Sequence, residues 1–438
     1  MSAAVINPRF LLASVFVSST GVWLLYKPMF SFVKYYSLHA FTHYLLFYSI
    51  ILISCFVVEK MGESVAGDAW KRRFDRVNSS GSLRKEALTL AGIAFAAQWL
   101  WILRMVAAKG TGTLVRMVFI DGDILKFKEQ IVNATGIPGV TTLTQLSLIA
   151  SGLYAIHVFG LRNKSELWIW ALVLFPGILR GMLFSERIAM LEVLLPIIVF
   201  AIYFNKLKVT LFKASAAVMG VILFFSAAEG LRSYRYYSET GVANEGVYGY
   251  GIGRFLDYIG SSVNHSMAMV DLSDRAFGFP TLLLNGWINF AYAFIPESTI
   301  RTFLHMNESL QAYLNVKNSV YSAPDYTNMG FFGEVFASAG YLYAFYAVLY
   351  GCFIGLAYRG IKRYEVGWMA VYPIVVFSLL ESYRVPYLFD NRVFYPLLYV
   401  ALRYAYFSFL VRKGRAAGGS VNVDASASAL KEAAVHIQ

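Results

Sequence analysis

Three arginines stand at polar breaks between long apolar blocks of this sequence. Arg187 follows only Ser185 and Glu186 between two such blocks, and Arg384 and Arg392 lie in the stretch Glu381–Arg392 that joins the last two. A guanidinium stays protonated at any relevant pH, and its planar fork donates paired, charge-assisted hydrogen bonds to phosphate oxygens. Three of them on one side of a chain form a candidate clamp for a diphosphate. The plainer reading is an arginine that snorkels from a span end or pairs with a nearby carboxylate. Glu192, about one turn beyond Arg187, and Glu381, three residues before Arg384, fit that pairing role. Arg104, Arg180 and Glu192 fall inside apolar blocks, where an ionisable group is costly unless it is paired or functional.

A group that takes a proton from a hydroxyl is the natural complement of such a clamp. The polar stretch Asn318–Gly340 offers Asp325 and Glu334, and the residues before it offer His265 and His305. Each reads equally well as a solvated or capping residue. Between Glu229 and His265 the chain is dense in arginine and tyrosine, including Arg232, Tyr234, Arg235, Tyr248 and Arg254. Aromatic faces and phenol groups of this kind suit a sugar groove, and they equally suit an interfacial aromatic belt.

Absences narrow the chemistry. The loop Lys27–Ser37 has no Asp or Glu, so it cannot supply the oxygen-rich ligation a divalent metal needs there. The chain contains no Walker A sequence, no HExxH and no GxSxG. No metal and no cofactor is expected. Cys55 and Cys352 lie within apolar blocks and read as small core residues.

The elements that position these residues are membrane spans. The 438 residues are 58% hydrophobic and 15% charged, with mean hydropathy +0.55, and the apolar residues come in blocks rather than stripes. Ten blocks qualify as spans: Phe10–Tyr26, Leu38–Val58, Ala87–Ala107, Val140–Gly160, Leu167–Phe184, Ile188–Phe204, Val209–Ala228, Val335–Tyr358, Val366–Leu380 and Val393–Val411. The first is read as an uncleaved span rather than a signal peptide, because no small-residue cleavage pattern follows it.

Seven basic residues crowd the loop 59–86, which the positive-inside rule puts in the cytoplasm. Alternation then assigns Arg162/Lys164, Lys206/Lys208, Arg359/Lys362/Arg363 and the basic tail to the same side, with both termini cytoplasmic. The net charge of +12 is thereby absorbed by loops, and a nucleic-acid partner is rejected. Outside fall residues 108–139, with an amphipathic surface helix over Asp123–Asn133, the Arg187 tip, the long region 229–334 and the Arg384–Arg392 stretch. Thr281–Pro296 is too short and too broken by Asn285 and Asn289 for a span, and reads as an interfacial or re-entrant helix. The organisation is therefore residues 1–228 with seven spans, 229–334 outside, 335–411 with three more spans, and a tail over 412–438 whose Ala, Gly and Ser content predicts disorder.

The C-terminal half resembles the Wzy-type bacterial oligosaccharide repeat-unit polymerases, including the polymerase of enterobacterial common antigen. The likeness runs from about Gly177 to Val411. It rests on Phe184-Ser185-Glu186-Arg187-Ile188-Ala189, the aromatic run Phe290–Pro296, the stretch Met329–Gly340, and the arginine pair Arg384 and Arg392. The resemblance implies an all-α polytopic fold of about 10–12 spans with a GT-C-like architecture and a periplasmic active site in the bacterial inner membrane. It implies a surface-polysaccharide polymerase that moves a glycan from undecaprenyl diphosphate onto a lipid-linked repeat unit, so that lipid-linked oligosaccharide is both donor and acceptor. A chain-length regulator, a flippase and membrane lipid are the further partners it implies.

On this reading Arg187, Arg384 and Arg392 hold the leaving diphosphate. Arg232, Arg235 and Arg254, with Tyr234 and Tyr248, contact substrate, and Glu334, His265 and Asp325 are base candidates in that order. Two other functions compete: an O-antigen ligase that delivers the glycan to lipid A core, and a lipid-linked oligosaccharide transporter. The chain lacks the two related halves typical of the latter.

Overall fold

The structure is a computed structural model. It describes residues 6–25, 33–61, 82–116, 135–137, 140–183, 187–208, scattered positions between 210 and 223, 246–273, 299, 306–320, 328–389 and 391–416. Among these the chain is all-α, with no strand. Among the described residues, five helical stretches are long and apolar enough to cross a membrane, and three shorter apolar helices accompany them, the make-up of a multi-pass membrane protein.

In chain order the helices are α1 (Pro8–Leu25), α2 (Leu38–Lys60), α3 (Ser82–Lys109), α4 (Leu146–Ala155), α5 (Leu167–Leu183), α6 (Arg187–Tyr203), α7 (Gly246–Leu272), α8 (Met306–Ser319), α9 (Phe331–Ala339), α10 (Tyr343–Lys362), α11 (Val366–Leu380) and α12 (Asn391–Ala416). Most predicted spans reappear within a few residues of their expected ends. α4 is entered through a 3₁₀ turn at Thr141–Gln145 and left through a π turn at Ile156–Gly160. The predicted span Val209–Ala228 falls mostly outside the described residues, as do the helices predicted at Asp123–Asn133 and Thr281–Pro296.

Two groups of helices meet at α11, on which α12 also packs. One holds α1, α2, α7, α9 and α10, and the other holds α3, α4, α5 and α6. α2 and α10 make the closest pairing, because Gly351 and Gly355 bring the two backbones together: a Cβ at either position would sit 2.5 Å from the Ile51 carbonyl oxygen or 2.8 Å from that of Cys55. Small residues spaced four apart are the usual device for such close approach in membranes. One end of this group is tied by charge. Buried Glu59 at the end of α2 meets Arg9 of α1 at 3.1 Å and Lys362 of α10 at 2.5 Å.

One predicted span is corrected. Val335–Tyr358 is not a single helix: the chain breaks at Gly340, with φ 55° and ψ −137°, a conformation open to glycine and costly for other residues. α9 therefore has only nine residues, about 13 Å of helix, too short to cross a bilayer core of about 30 Å. Phe331, its first residue, touches Phe47 of α2 and Tyr350 of α10, while Phe332 and Phe336 both pack on Tyr343, seven residues before Tyr350.

The long region between the N-terminal and C-terminal spans contributes α7, which packs against α1, α2, α8 and α9 rather than standing apart. Its residues Arg254, Asp257, Ser261, Ser262, Asn264, His265 and Ser266 are all buried. Asn264, His265 and Ser266 are accommodated because they serve polar groups that would otherwise be orphaned. The Ser266 hydroxyl donates to the Met329 carbonyl at 2.8 Å and accepts from the Gly333 N–H at 3.2 Å, and the His265 Nδ1 is 2.9 Å from the Asn328 carbonyl oxygen. Asn264 takes the Trp23 indole at 3.1 Å and the Tyr35 N–H at 2.7 Å. The non-helical entry to α9 is thus held by the polar stripe of α7.

Candidate functional site

The loop after α11 is shaped by its own backbone. The Arg384 and Val385 N–H groups both donate to the Glu381 carbonyl, at 2.8 and 3.0 Å, which curls the chain back on the end of the helix. That turn brings Arg384 Nε to 2.8 Å from Glu381 Oε2. Burial works against the Arg384 charge, but Glu381, with smaller contributions from Tyr383 and Tyr258, outweighs it and raises the pKa above the ordinary arginine value. The guanidinium is a permanent cation there. Burial likewise drives the Tyr383 phenol well up, so its hydroxyl stays protonated.

Pro386 then admits a short 3₁₀ turn, Tyr387–Phe389, before α12 begins. Tyr387 is buried, its ring 4.3 Å from that of Phe377, and its hydroxyl donates to Glu192 Oε1 at 2.5 Å. The same carboxylate oxygen lies 3.4 Å from Arg392 Nη1, and the other lies 4.0 Å from Arg180 Nη1. Arg180 also reaches the Thr144 hydroxyl at 3.3 Å. Glu192 of α6 is therefore a node joining α5, the loop and α12, and through Arg180 the turn that leads into α4. Two arginines share this one carboxylate, so the local balance is positive.

The loop is set in from the end of the bundle. Tyr48 of α2 donates to the Ser382 carbonyl at 2.7 Å, and Tyr350 of α10 meets Ser378 at 2.6 Å. These are the levels at which α9 starts. Gly330, with φ 76°, packs where α9, α7 and the loop converge: a Cβ there would lie 2.1 Å from Ser266 Oγ, 2.5 Å from the Ser262 carbonyl and 3.2 Å from the Tyr383 carbonyl. The partly positive N-terminal end of α9 consequently faces the arginine loop.

The sequence-predicted residues divide as follows. Arg384 and Arg392 flank one loop, each beside a carboxylate. Arg254 is buried on α7 with its guanidinium 5.4 Å from the Tyr258 ring, and Tyr258 contributes electrostatically at Arg384. Glu334 lies in the first turn of α9, its N–H bonded to the Gly330 carbonyl at 3.0 Å. His265 is fully buried, and burial pushes its pKa down to about 4. Arg187 is the first residue of α6, and Tyr248 lies in the first turn of α7; their side chains are outside the described residues, as are Arg232, Tyr234, Arg235, Asp325 and His305.

Tyr387, Tyr258 and Thr144 were not anticipated. A tyrosine among 30 carries no mark in the sequence that it will meet a glutamate 195 residues away. Among the described residues, no three His, Cys, Asp or Glu side chains converge as a metal-holding group. No protein-family model, curated protein or solved structure matches the chain.

Proposed function

We propose that this protein is a membrane glycosyltransferase that polymerises surface-polysaccharide repeat units at the outer face of a bacterial inner membrane. It transfers a glycan from undecaprenyl diphosphate to a lipid-linked repeat unit. The observation that carries the reading is the arrangement around Glu192, in which one buried carboxylate holds Arg180 and Arg392 while Arg384 is positioned separately by Glu381. Arginines fixed in advance stabilise a diphosphate leaving group without reorganising during bond cleavage. The start of α9 adds to the positive potential on the same side of the loop.

In this mechanism Arg384 and Arg392, with Arg187, bind the diphosphate and neutralise the charge that develops as the glycosidic C–O bond breaks. An acceptor hydroxyl attacks the anomeric carbon, and a base takes its proton. Glu334 is the first candidate for that base, since it sits one turn from the α9 start that packs on the arginine loop. The reaction needs no metal, because the guanidinium groups supply the charge.

Replacing Arg384 and Arg392 singly by Ala in a polymer-displaying strain, at normal protein level, is expected to collapse long glycan on a gel to single repeats. Lys should rescue poorly because it cannot donate in a fork. Full-length polymer from both Ala variants would reject the reading.

One observation favours a transporter of lipid-linked oligosaccharide instead. A broken helix whose start lies inside the bundle beside buried charges is a common feature of transporter sites. A purified-protein assay separates the two, since only an enzyme lengthens the glycan.

A further inference from the structure

At the opposite edge of the α2–α7–α10 group from Glu59, four side chains form a chain of contacts that the proposed transfer does not use. His39 and His43 lie one turn apart in the first turns of α2, with their Nε2 atoms 3.1 Å apart. His39 Nδ1 is 2.7 Å from Asp271 Oδ1 at the end of α7, and His43 Nδ1 is 2.7 Å from the Tyr343 hydroxyl at the start of α10. Asp271 is fixed in turn, its second oxygen accepting from the Tyr35 hydroxyl at 2.9 Å.

The chemistry of this set is specific. Asp271 is an acceptor, so His39 must carry its proton on Nδ1 and present a lone pair on Nε2. The Tyr343 hydroxyl can accept from His43 in the same way, which leaves His43 Nε2 as a second lone pair beside the first. Two nitrogens 3.1 Å apart, each about 2.05 Å from an ion, subtend about 100° at it, between the angles of octahedral and tetrahedral sites. A histidine pair spaced four residues apart on one helix face is a rigid bidentate ligand. A carboxylate or hydroxyl on each remote ring nitrogen is the outer arrangement that orients metal-binding imidazoles.

We propose that His39 and His43 bind one divalent transition-metal ion of the zinc and copper class through their Nε2 atoms, with Asp271 and Tyr343 orienting the rings. Imidazole selects these ions over calcium and magnesium, which prefer oxygen. The His39 side chain is 56% exposed, so water completes the coordination. When the ion enters, the His43 proton resides on Nδ1 and the Tyr343 hydroxyl accepts it; no proton need leave the protein. The ion pins the start of α2 to α7 and α10. None of the four residues belongs to the arginine loop or its carboxylates, so the site goes beyond the proposed transfer and does not depend on it.

The test uses the full chain in detergent, purified without a histidine tag, because the sequence has only six histidines. Zn²⁺ is titrated by calorimetry, and Cu²⁺ is added for electron paramagnetic resonance. The expected result is one equivalent of each ion, with a Cu²⁺ spectrum showing two imidazole nitrogens. His39→Ala or His43→Ala should weaken Zn²⁺ binding at least tenfold, and Asp271→Asn should weaken it about tenfold or more through lost ring orientation. His305→Ala and His436→Ala should leave it unchanged. Zn²⁺ should also raise the thermal midpoint of the natural chain and not that of the His39→Ala chain. The proposal is overturned if the natural chain binds neither ion below millimolar concentration, or if the copper spectrum lacks imidazole nitrogens. It is also overturned if the folded double His variant binds as tightly as the natural chain. None of these readouts involves glycan, so they stand apart from the outcome for the arginines.

Discussion

Arg392 Nη1 lies 3.4 Å from Glu192 Oε1 across 200 residues of sequence, and Glu192 also receives the Tyr387 hydroxyl and faces Arg180. The node ties α5 and α6 to the arginine loop and the start of α12.

Removing the carboxylate should be costly. Glu192→Gln leaves Arg180 and Arg392 sharing a neutral amide, and breaking a buried pair from one side costs about 3 kcal/mol or more. The thermal midpoint of the purified protein should fall clearly, and the polymer should shorten as Arg392 loses its position. An unchanged midpoint would mean that the node does not hold α5, α6 and α12 together.

The entry to α9 should tolerate no side chain at Gly330. An alanine there would occupy a positive-φ, extended-ψ conformation (φ 76°, ψ 156°) that is essentially confined to glycine and costs about 1–3 kcal/mol, and it would also meet Ser266 Oγ at 2.1 Å. Gly330→Ala is expected to lower both stability and polymer length, while Gly21→Ala, inside α1 where a Cβ meets nothing within 4 Å, is expected to leave polymer length unchanged and not to lower stability. Midpoints of the two purified variants, measured side by side, check this.

How much was legible follows from where the information lay. Bounds such as Leu38 and Val366–Leu380 were readable because a bilayer demands an unbroken apolar run of fixed length. The break at Gly340 was not, since Ala337-Ser338-Ala339-Gly340 is small and apolar enough to continue a span, and only the backbone angle shows the turn. α7 was missed because Arg254, Asp257, Asn264 and His265 look solvent-facing, whereas some of their partners lie far away in sequence: Asn264 meets Trp23 across 241 residues, and His265 meets Asn328 across 63. The loop arginines were singled out by charge type, and Glu381 by its proximity to Arg384, but the pairing of Arg392 with Glu192 across 200 residues carried no such signal. Tyr387 had neither signal.

His265 predicts a pH dependence. Its folded pKa is about 4 against an ordinary 6.5, because burial disfavours the imidazolium. Between those values the unfolded chain binds the proton and the folded chain does not, so stability is full above about pH 6.5 and falls as the pH drops toward 4. The loss amounts to about 3 kcal/mol at most. His265→Asn should flatten the thermal midpoint across that window, at lower absolute stability. An equally steep fall in the variant would assign the effect elsewhere.

The α2–α10 contact should be sensitive to a single methyl group. Gly351→Ala places a Cβ 2.5 Å from the Ile51 carbonyl, forcing the helices apart and lowering the midpoint. Gly92→Ala on α3, with nothing within 4 Å, is the matched control.

The proposed role of Arg384 and Arg392 is to be the leaving-group half of a glycosyl transfer. Incubating the purified chain with a synthetic lipid-linked repeat unit, with and without chelator, and measuring product length isolates that role. The expected product is elongated glycan that persists in chelator and falls at least a hundredfold in rate with Arg384→Ala or Arg392→Ala. Elongation at the natural rate by both variants, or no elongation by the natural chain, would contradict it.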